Sequence, residues 1–121
     1  MLVASAARLF ALGALWRGAG VESAGRALVS ALGTSDENLR TIAGMMLVKA
    51  GPRSAPLLND ALARRQSVPM ALAVLGDLGD PSCESALRAF TSDPDPKVAA
   101  AARDALRVLE ASAGANRRTT S

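Results

Sequence analysis

The chain has few of the side chains that most enzymes use for chemistry. Its 121 residues include no histidine, no tyrosine and only one cysteine. Without histidine the sequence cannot form a Ser-His or Cys-His pair, and it lacks the commonest general base and metal ligand. With a single cysteine, an intrachain disulfide and a tetrahedral structural zinc site are excluded as well. We therefore expect no enzymatic activity, and the sequence predicts no catalytic, metal-binding or cofactor-binding residue.

Aromatic residues are also scarce, and this absence bears on the fold. They make up 2% of the chain, whereas half of the chain is hydrophobic, mostly alanine and leucine. Alanine and leucine favour helices, and the aromatic and β-branched residues favour strands. The composition therefore predicts an all-α protein, and the length fits one ordinary domain.

No uninterrupted apolar run is long enough to span a bilayer. The apolar N-terminal stretch is broken by Arg8 and followed by Arg17, whereas a signal peptide carries its positive charge before the apolar run. We interpret this stretch as a structural first helix. The single Cys83 is compatible with a reducing compartment, so we expect a cytoplasmic protein that does not enter the membrane.

A helical pattern recurs four times along the chain. Successive copies lie 31, 28 and 31 residues apart, and three of them end at a glycine, namely Gly20, Gly51 or Gly79. A fixed period of this size is typical of stacked helical repeats, in which each unit buries its apolar face against its neighbours. The shared apolar positions are Leu12, Ala43, Ala71 and Ala102, then Trp16, Leu47, Leu75 and Leu106, then Ala19, Ala50, Leu78 and Leu109.

Turn residues between the apolar blocks predict where the helices begin and end. Asp80-Pro81 and Asp95-Pro96 each place a capping carboxylate before a proline at the first helical position. Thr34 and Glu37 have the spacing of a capping box. We expect seven helices over residues 3–18, 21–33, 36–50, 52–65, 68–78, 81–92 and 96–111.

These helices form three hairpins and one extra helix. The first helix of each pair carries the repeated pattern, and the second helices align on Leu28, Leu58 and Leu87. Residues 112–121 have no apolar face, so we expect a repeat domain over residues 1–111 and a disordered C-terminal tail over 112–121.

The segments LGDPSCESALRAF and DPDPKVAAAARDALRVLE resemble HEAT repeats, specifically the short HEAT-like class known from phycobilisome bilin lyases. The resemblance covers about residues 8 to 111 and is best from Val68 onward. It implies an all-α, right-handed α-solenoid of antiparallel hairpins, with about three and a half repeats. It implies no activity, because nothing in the chain marks a tetrapyrrole pocket.

Two further arrangements could carry chemistry, and neither is favoured. The acid pairs Asp77 with Asp80 and Asp93 with Asp95 lie in turns where we expect carboxylates to cap helices. HEAT-like DNA glycosylases hold a damaged base between aromatic side chains. The aromatic residues here are Phe10, Trp16 and Phe90, and all three lie on faces that we expect to be buried.

The remaining candidate is a binding surface on the second helices, which usually line the concave side of such solenoids. Arginine suits this role because its planar group binds a carboxylate through two hydrogen bonds. We therefore predict a non-catalytic interaction or scaffold module whose partner is a protein, with an acidic segment as a candidate. The predicted contact residues are Glu22, Arg26, Asn59, Asp60, Arg64, Glu84 and Arg88, with Arg53 and Arg65 at the margins.

Two alternatives stay open at this point. The formal net charge of +3 is mild, so a nucleic-acid-binding solenoid is the less favoured interpretation. An accessory subunit of a lyase-type complex is the other. The last helix has no second helix to cover it, so a further copy of the chain could stack there and form a homo-oligomer.

Overall fold

The computed structural model describes the backbone of residues 2–120 and the side chains of residues 6–114. Over this part of the chain the protein is all-α, as predicted, with no strand. The seven α-helices are α1 (Leu2–Ala19), α2 (Glu22–Ala31), α3 (Glu37–Lys49), α4 (Ala55–Ala63), α5 (Val68–Leu78), α6 (Glu84–Phe90) and α7 (Pro96–Thr120).

Helices α4 and α6 begin later than the sequence predicted, because each is preceded by a short 3₁₀ turn. These turns span Gly51–Ser54 and Pro81–Cys83. Each contains a proline in its first two positions, where the missing N–H has no intrahelical partner to lose.

Helix α7 passes Ala111, where we expected helix to end, and its bounds extend to Thr120. Residues 112–120 contain no proline and include alanine and arginine, which are good helix formers. Once a helix is nucleated, each added residue gains a hydrogen bond, so a polar segment without a stop signal can continue it. The division into a domain of 1–111 and a disordered tail of 112–121 stays a prediction.

The turns between helices follow the sequence signals in most cases. Gly20, Gly51 and Gly79 all adopt positive φ, which a side chain would oppose. Asp80 accepts a hydrogen bond from the backbone N–H of Ser82 at 3.0 Å, and Asp95 accepts one from that of Lys97 at 2.9 Å. The predicted caps at these two aspartates are therefore present.

The predicted capping box at Thr34 and Glu37 is wrong. Asp36 caps α3 instead, since its carboxylate accepts hydrogen bonds from the backbone N–H groups of Asn38 and Leu39. An aspartate directly before the helix reaches these donors with less loss of freedom than a residue two positions further away. Thr34 lies outside the helix, where its backbone carbonyl accepts a hydrogen bond from Arg40.

The helices pack in a regular order. The odd-numbered helices contact one another in sequence, α1 with α3, α3 with α5, and α5 with α7. Among the even-numbered helices, α2 contacts α4, while α6 packs on α7. Each even helix also contacts an odd neighbour, so the chain alternates between two layers.

The core lies between these layers and is built mainly from leucine and alanine. Leu28, Leu58 and Leu87, predicted as equivalent positions of the second helices, are all completely buried. The predicted positions of the odd helices are buried or half-buried, with the exception of exposed Ala19. These residues form one continuous cluster across the molecule.

The prediction that Phe10 lies on a buried face is wrong, because this residue is 51% exposed. Helix α1 turns Leu9, Gly13 and Trp16 inward instead. Successive helical residues are rotated by about 100°, so Phe10 points away from the stripe that begins at Leu9.

Trp16 is buried and joins the core through a short polar network. Its indole Nε1 donates to Oγ of Ser54 at 3.0 Å, and this hydroxyl donates to the carbonyl of Leu47 at 2.7 Å. Ser54 is fully buried, so all three polar groups depend on one another for their hydrogen bonds. The network joins α1 to the end of α3 and the start of α4.

Helices α5 and α7 share the most extensive contact of any two helices that the structure describes. A Cβ atom added to Gly76 would lie 2.7 Å from the carbonyl oxygen of Ala105 and 2.8 Å from its Cα. The backbone of α7 therefore occupies the space beside this glycine.

Among the residues that the structure describes, no helix is long and apolar enough to cross a membrane.

Candidate partner-binding site

The predicted contact residues of the even helices are organised as ion pairs. In each helix an acidic residue stands four positions before an arginine, which places both on one face. The pairs are Glu22–Arg26 in α2 at 3.1 Å, Asp60–Arg64 in α4 at 3.1 Å, and Glu84–Arg88 in α6 at 2.6 Å.

The spacing of four residues between acid and arginine recurs in the sequence in all three helices, but these ion pairs were not predicted. In all three pairs the arginine side chain is about three-fifths exposed, so solvent screens the attraction. Each arginine therefore carries its own counter-ion on its own helix. A partner carboxylate has to compete with that ion instead of meeting a free cation.

Arg26 and the Asp60–Arg64 pair meet at one groove, which lies between α2 and α4. The groove has a volume of about 230 Å³, and Arg26, Asp60 and Arg64 line it together with the polar Ser30 and Gln66. Its floor is formed by Leu57 and other apolar residues of the two helices. We call it the α2–α4 groove.

The other predicted contact residues lie outside this groove. Glu84 lines a separate depression of about 130 Å³ beside Glu110 of α7. The hydrogen bond that Arg88 donates to Glu84 raises the pKa of Arg88, and the charge of Glu110 adds to this effect. Glu22 and Asn59 are exposed on α2 and α4, but neither lines the α2–α4 groove.

Arg53, predicted at the margin, has a structural contact with α1. Its guanidinium lies 6.0 Å from the ring centroid of Trp16. It donates hydrogen bonds to the carbonyls of Trp16 and Arg17 at 3.2 and 3.3 Å. These carbonyls end α1, and a cation is favourable at the C-terminus of a helix.

Arg65, the other marginal residue, joins two hairpins. It has a φ of 56° and occupies the position after α4 where helices usually place glycine. Its guanidinium binds both carboxylate oxygens of Asp93, at 2.7 and 3.2 Å, and lies 5.9 Å from the ring centroid of Phe90. These contacts offset the strain of the left-handed backbone.

The acid pairs considered in the sequence are also accounted for in structural terms. Asp80 and Asp95 cap helices, and Asp93 binds Arg65 and accepts a hydrogen bond from the backbone N–H of Asp95. Asp77 lies inside α5 and is not a cap, which corrects the prediction. Partial burial raises the pKa of Asp77.

Cys83 is buried, and this burial raises the pKa of its thiol. It packs in the apolar core, as a small hydrophobic residue does. Within the described residues, no group of three histidine, cysteine, aspartate or glutamate side chains lies close enough to hold a metal ion.

The sequence analysis missed a second surface, on the outward side of α1, α3 and α5. Besides Phe10, Met45 exposes 43% of its side chain there. One signal was available, because the adjacent Met45 and Met46 cannot both point into the core from one amphipathic helix. Met46 is buried and Met45 is exposed.

Comparison with known proteins adds no relative to this description. The chain matches no protein-family model, no curated protein and no solved structure.

Proposed function

We propose that this chain is a non-catalytic protein-interaction module, built as a right-handed solenoid of about three and a half HEAT-like repeats. The alternating contacts of odd and even helices support the solenoid, because each hairpin packs mainly on its neighbours in sequence. In this proposal a partner segment binds on the even helices at the α2–α4 groove, and the chain serves as a scaffold.

The observation that carries the proposal is that Arg26 and the Asp60–Arg64 pair lie at the same groove, the α2–α4 groove. Arg26 comes from one hairpin, and Asp60 and Arg64 come from the next. A groove lined by two arginines and one acid favours an acidic segment that also offers a hydrogen-bond donor for Asp60. Residues from different repeats meet at one site, as is common in binding by stacked repeats.

The proposed mechanism is an exchange of carboxylates. The pairs Glu22–Arg26 and Asp60–Arg64 are exposed, so breaking them costs little. An incoming glutamate or aspartate replaces the intrahelical acid and binds the planar guanidinium through two hydrogen bonds. The surface of the groove is mainly polar and Leu57 is already buried, so in this proposal the polar contacts carry the binding.

Fluorescence anisotropy with a defined peptide tests this proposal. The probe is a labelled peptide of alternating glutamate and serine, and its lysine–serine counterpart is the charge control. We expect Arg26→Glu with Arg64→Glu to weaken binding of the acidic probe by about tenfold or more, because two attractive contacts become repulsive. Arg88→Glu is the matched control, since Arg88 makes the same kind of pair outside the groove.

The result also separates a protein partner from nucleic acid. Duplex DNA is titrated at two salt concentrations in parallel, because neutralised phosphates make the affinity fall steeply with salt. Tighter, strongly salt-dependent binding of DNA than of the acidic probe would overturn the proposal. Equal loss of the acidic probe in Arg88→Glu would overturn the assignment to the α2–α4 groove.

A further inference from the structure

Two apolar grooves lie on the outward side of the odd helices, one on each side of α3. The α1–α3 groove has a volume of about 410 Å³ and is lined by Phe10, Gly13 and Met46, among others. The α3–α5 groove has a volume of about 430 Å³, and its lining includes Gly44 and Met45. Volumes of this size are typical of binding sites.

The lining of each groove includes a glycine within a helix, and the two glycines have different surroundings. At Gly13 the side chain of Met46 occupies the space of the missing Cβ, with its sulfur 2.4 Å from that position. At Gly44 the nearest atom is Cγ2 of Val74 at 3.4 Å, which is close to ordinary contact. Glycine inside a helix costs about 1 kcal/mol relative to alanine. A Cβ at Gly13 would collide with Met46, whereas a Cβ at Gly44 would meet Val74 at ordinary contact distance, so close packing explains the cost of glycine at Gly13 better than at Gly44.

Both grooves include methionine in their lining. Met46 lines the α1–α3 groove, and Met45 and Met70 line the α3–α5 groove. Methionine is flexible and polarisable, so it adapts to apolar side chains of different shapes and is common at surfaces that bind helices. Exposed Phe10 adds an aromatic side chain at the edge of the α1–α3 groove.

The rims of the grooves are mainly positive. Arg17 borders the α1–α3 groove, Arg40 borders the α3–α5 groove, and Lys49 borders both. Asp77 is the acid at the α3–α5 groove. No carboxylate of the described side chains lies within ion-pair distance of Arg17, Arg40 or Lys49. The cations here are therefore uncompensated, unlike the arginines of the even helices.

We propose that the odd-helix face, formed by the α1–α3 and α3–α5 grooves, binds an acidic amphipathic helix of a partner protein. The apolar stripe of that helix lies in the grooves against Phe10, Met45 and Met46. Its glutamates or aspartates face Arg17, Arg40 and Lys49. This is the helix-in-groove mode of recognition, and it goes beyond the proposed function because it uses the opposite set of helices.

A helix fits this surface better than the other candidate occupants. A membrane is contacted by protruding apolar side chains, whereas these sites are concave and one of them contains the carboxylate of Asp77. The ridges of one helix pack into the spaces between the side chains of others, so grooves beside α3 suit a helical ligand. The uncompensated cations require that this helix be acidic.

The test uses a synthetic peptide of about 18 residues, or five helical turns. It carries leucine at positions i, i+3, i+4 and i+7 and glutamate on the opposite face. One control peptide has the same residues in scrambled order. A second control peptide has lysine in place of every glutamate. We expect the acidic amphipathic peptide alone to bind, as fluorescence anisotropy detects, and to gain helix content in circular dichroism.

Variants of the protein then locate the site. Phe10→Ser and Met45→Ser remove exposed apolar contacts from one groove each, and Lys49→Glu reverses the charge shared by both. Each should weaken peptide binding by about tenfold or more. The controls are Val108→Ser, which removes a similarly exposed apolar side chain from α7, and Lys97→Glu, which reverses the other lysine. Both should leave binding unchanged.

Several outcomes would overturn the proposal. Equal binding of the scrambled peptide, or unchanged binding in Phe10→Ser, Met45→Ser and Lys49→Glu, excludes this face as the site. Preference for vesicles of anionic phospholipid over the peptide indicates a membrane contact instead. Self-association in light scattering that is lost in Met45→Ser indicates that a second copy covers the face. Arg26→Glu with Arg64→Glu should not affect this peptide, so the two proposals fail separately.

Discussion

The even-helix and odd-helix faces use their charges in opposite ways. On α2, α4 and α6 the arginines stand out in the sequence, but each has a carboxylate four residues earlier on the same helix. On α1, α3 and α5 the cations follow no repeated spacing, but Arg17, Arg40 and Lys49 border apolar grooves without a described counter-ion. The number of cations on a surface is therefore a poor guide to the charge that a partner meets.

The difference arises from the range of the contacts involved. An acid and an arginine four residues apart pair through local helix geometry alone. A groove between helices depends on how two distant helices pack, and hence on how closely a neighbouring side chain approaches a glycine, as Met46 does at Gly13 and Val74 less closely at Gly44. Three kinds of substitution test this difference. They change the packing of the odd helices, the ion pair between two hairpins, and the ion pairs on the even helices.

The largest expected effect on stability comes from replacing a helix glycine by alanine, with opposite results at Gly76 of α5 and Gly44 of α3. Gly76→Ala should destabilise the protein by about 1–3 kcal/mol, because the new Cβ collides with the backbone of Ala105 and the helices must move apart. Gly44→Ala should instead stabilise it by about 0.5–1 kcal/mol, because alanine favours the helix and has room. Urea unfolding monitored by circular dichroism measures both. Destabilisation by Gly44→Ala would show that packing requires this glycine after all.

An intermediate effect concerns the link between hairpins, Arg65–Asp93. The hydrogen bond from Arg65 holds the pKa of Asp93 below its ordinary value. The pair therefore contributes stability above the ordinary carboxyl pKa and loses it as the pH falls through the lower pKa of the folded state. We expect Asp93→Asn to lower the midpoint of thermal unfolding at about pH 7 and to differ little from the wild type at about pH 2.

The matched control for that comparison is Asp104→Asn. Asp104 pairs with Arg107, but both side chains are exposed on α7. Its loss should therefore change the pH dependence of unfolding much less. A thermal unfolding midpoint of Asp93→Asn that follows the wild type at every pH would contradict the role of the pair.

The smallest expected effect on stability comes from neutralising the acids of the even face. Glu22→Gln and Asp60→Asn should each change the free energy of unfolding by about 0.5 kcal/mol or less, because exposed pairs of this spacing contribute little. They should nevertheless tighten binding of the glutamate–serine peptide, since Arg26 and Arg64 lose their competing carboxylates. Unchanged or weaker binding of that peptide in both variants would argue against carboxylate exchange.

Much of the fold could be read from the sequence because its signals are local. The apolar period of the helices, the αL glycines such as Gly51, and the caps at Asp80 and Asp95 all depend on residues within a few positions of one another. The same locality explains the failure at Thr34. Two neighbouring residues both offered a capping oxygen, and Asp36 lies closer to the free N–H groups.

The candidate sites were less predictable because they depend on contacts between distant residues. The sequence predicted Arg65 at the margin of the contact surface, but not that Asp93, 28 positions away, binds it. The sequence also suggested that Phe10 belonged to the core. Its neighbour Leu9 is buried instead, and an error of one position on a helix rotates a side chain by about 100°. Which of the seven even-helix residues share one groove could be known only once α2 and α4 were placed side by side.

The buried indole of Trp16 gives this protein a built-in optical probe. With no tyrosine in the chain, near-ultraviolet excited emission comes almost entirely from this one side chain, whose N–H is bonded to Ser54 between the first two hairpins. Circular dichroism, by contrast, sums over every helix. If the two signals change together on unfolding, the stacked hairpins form a single cooperative unit, and if they separate, the N-terminal hairpins come apart independently of the α5–α7 contact.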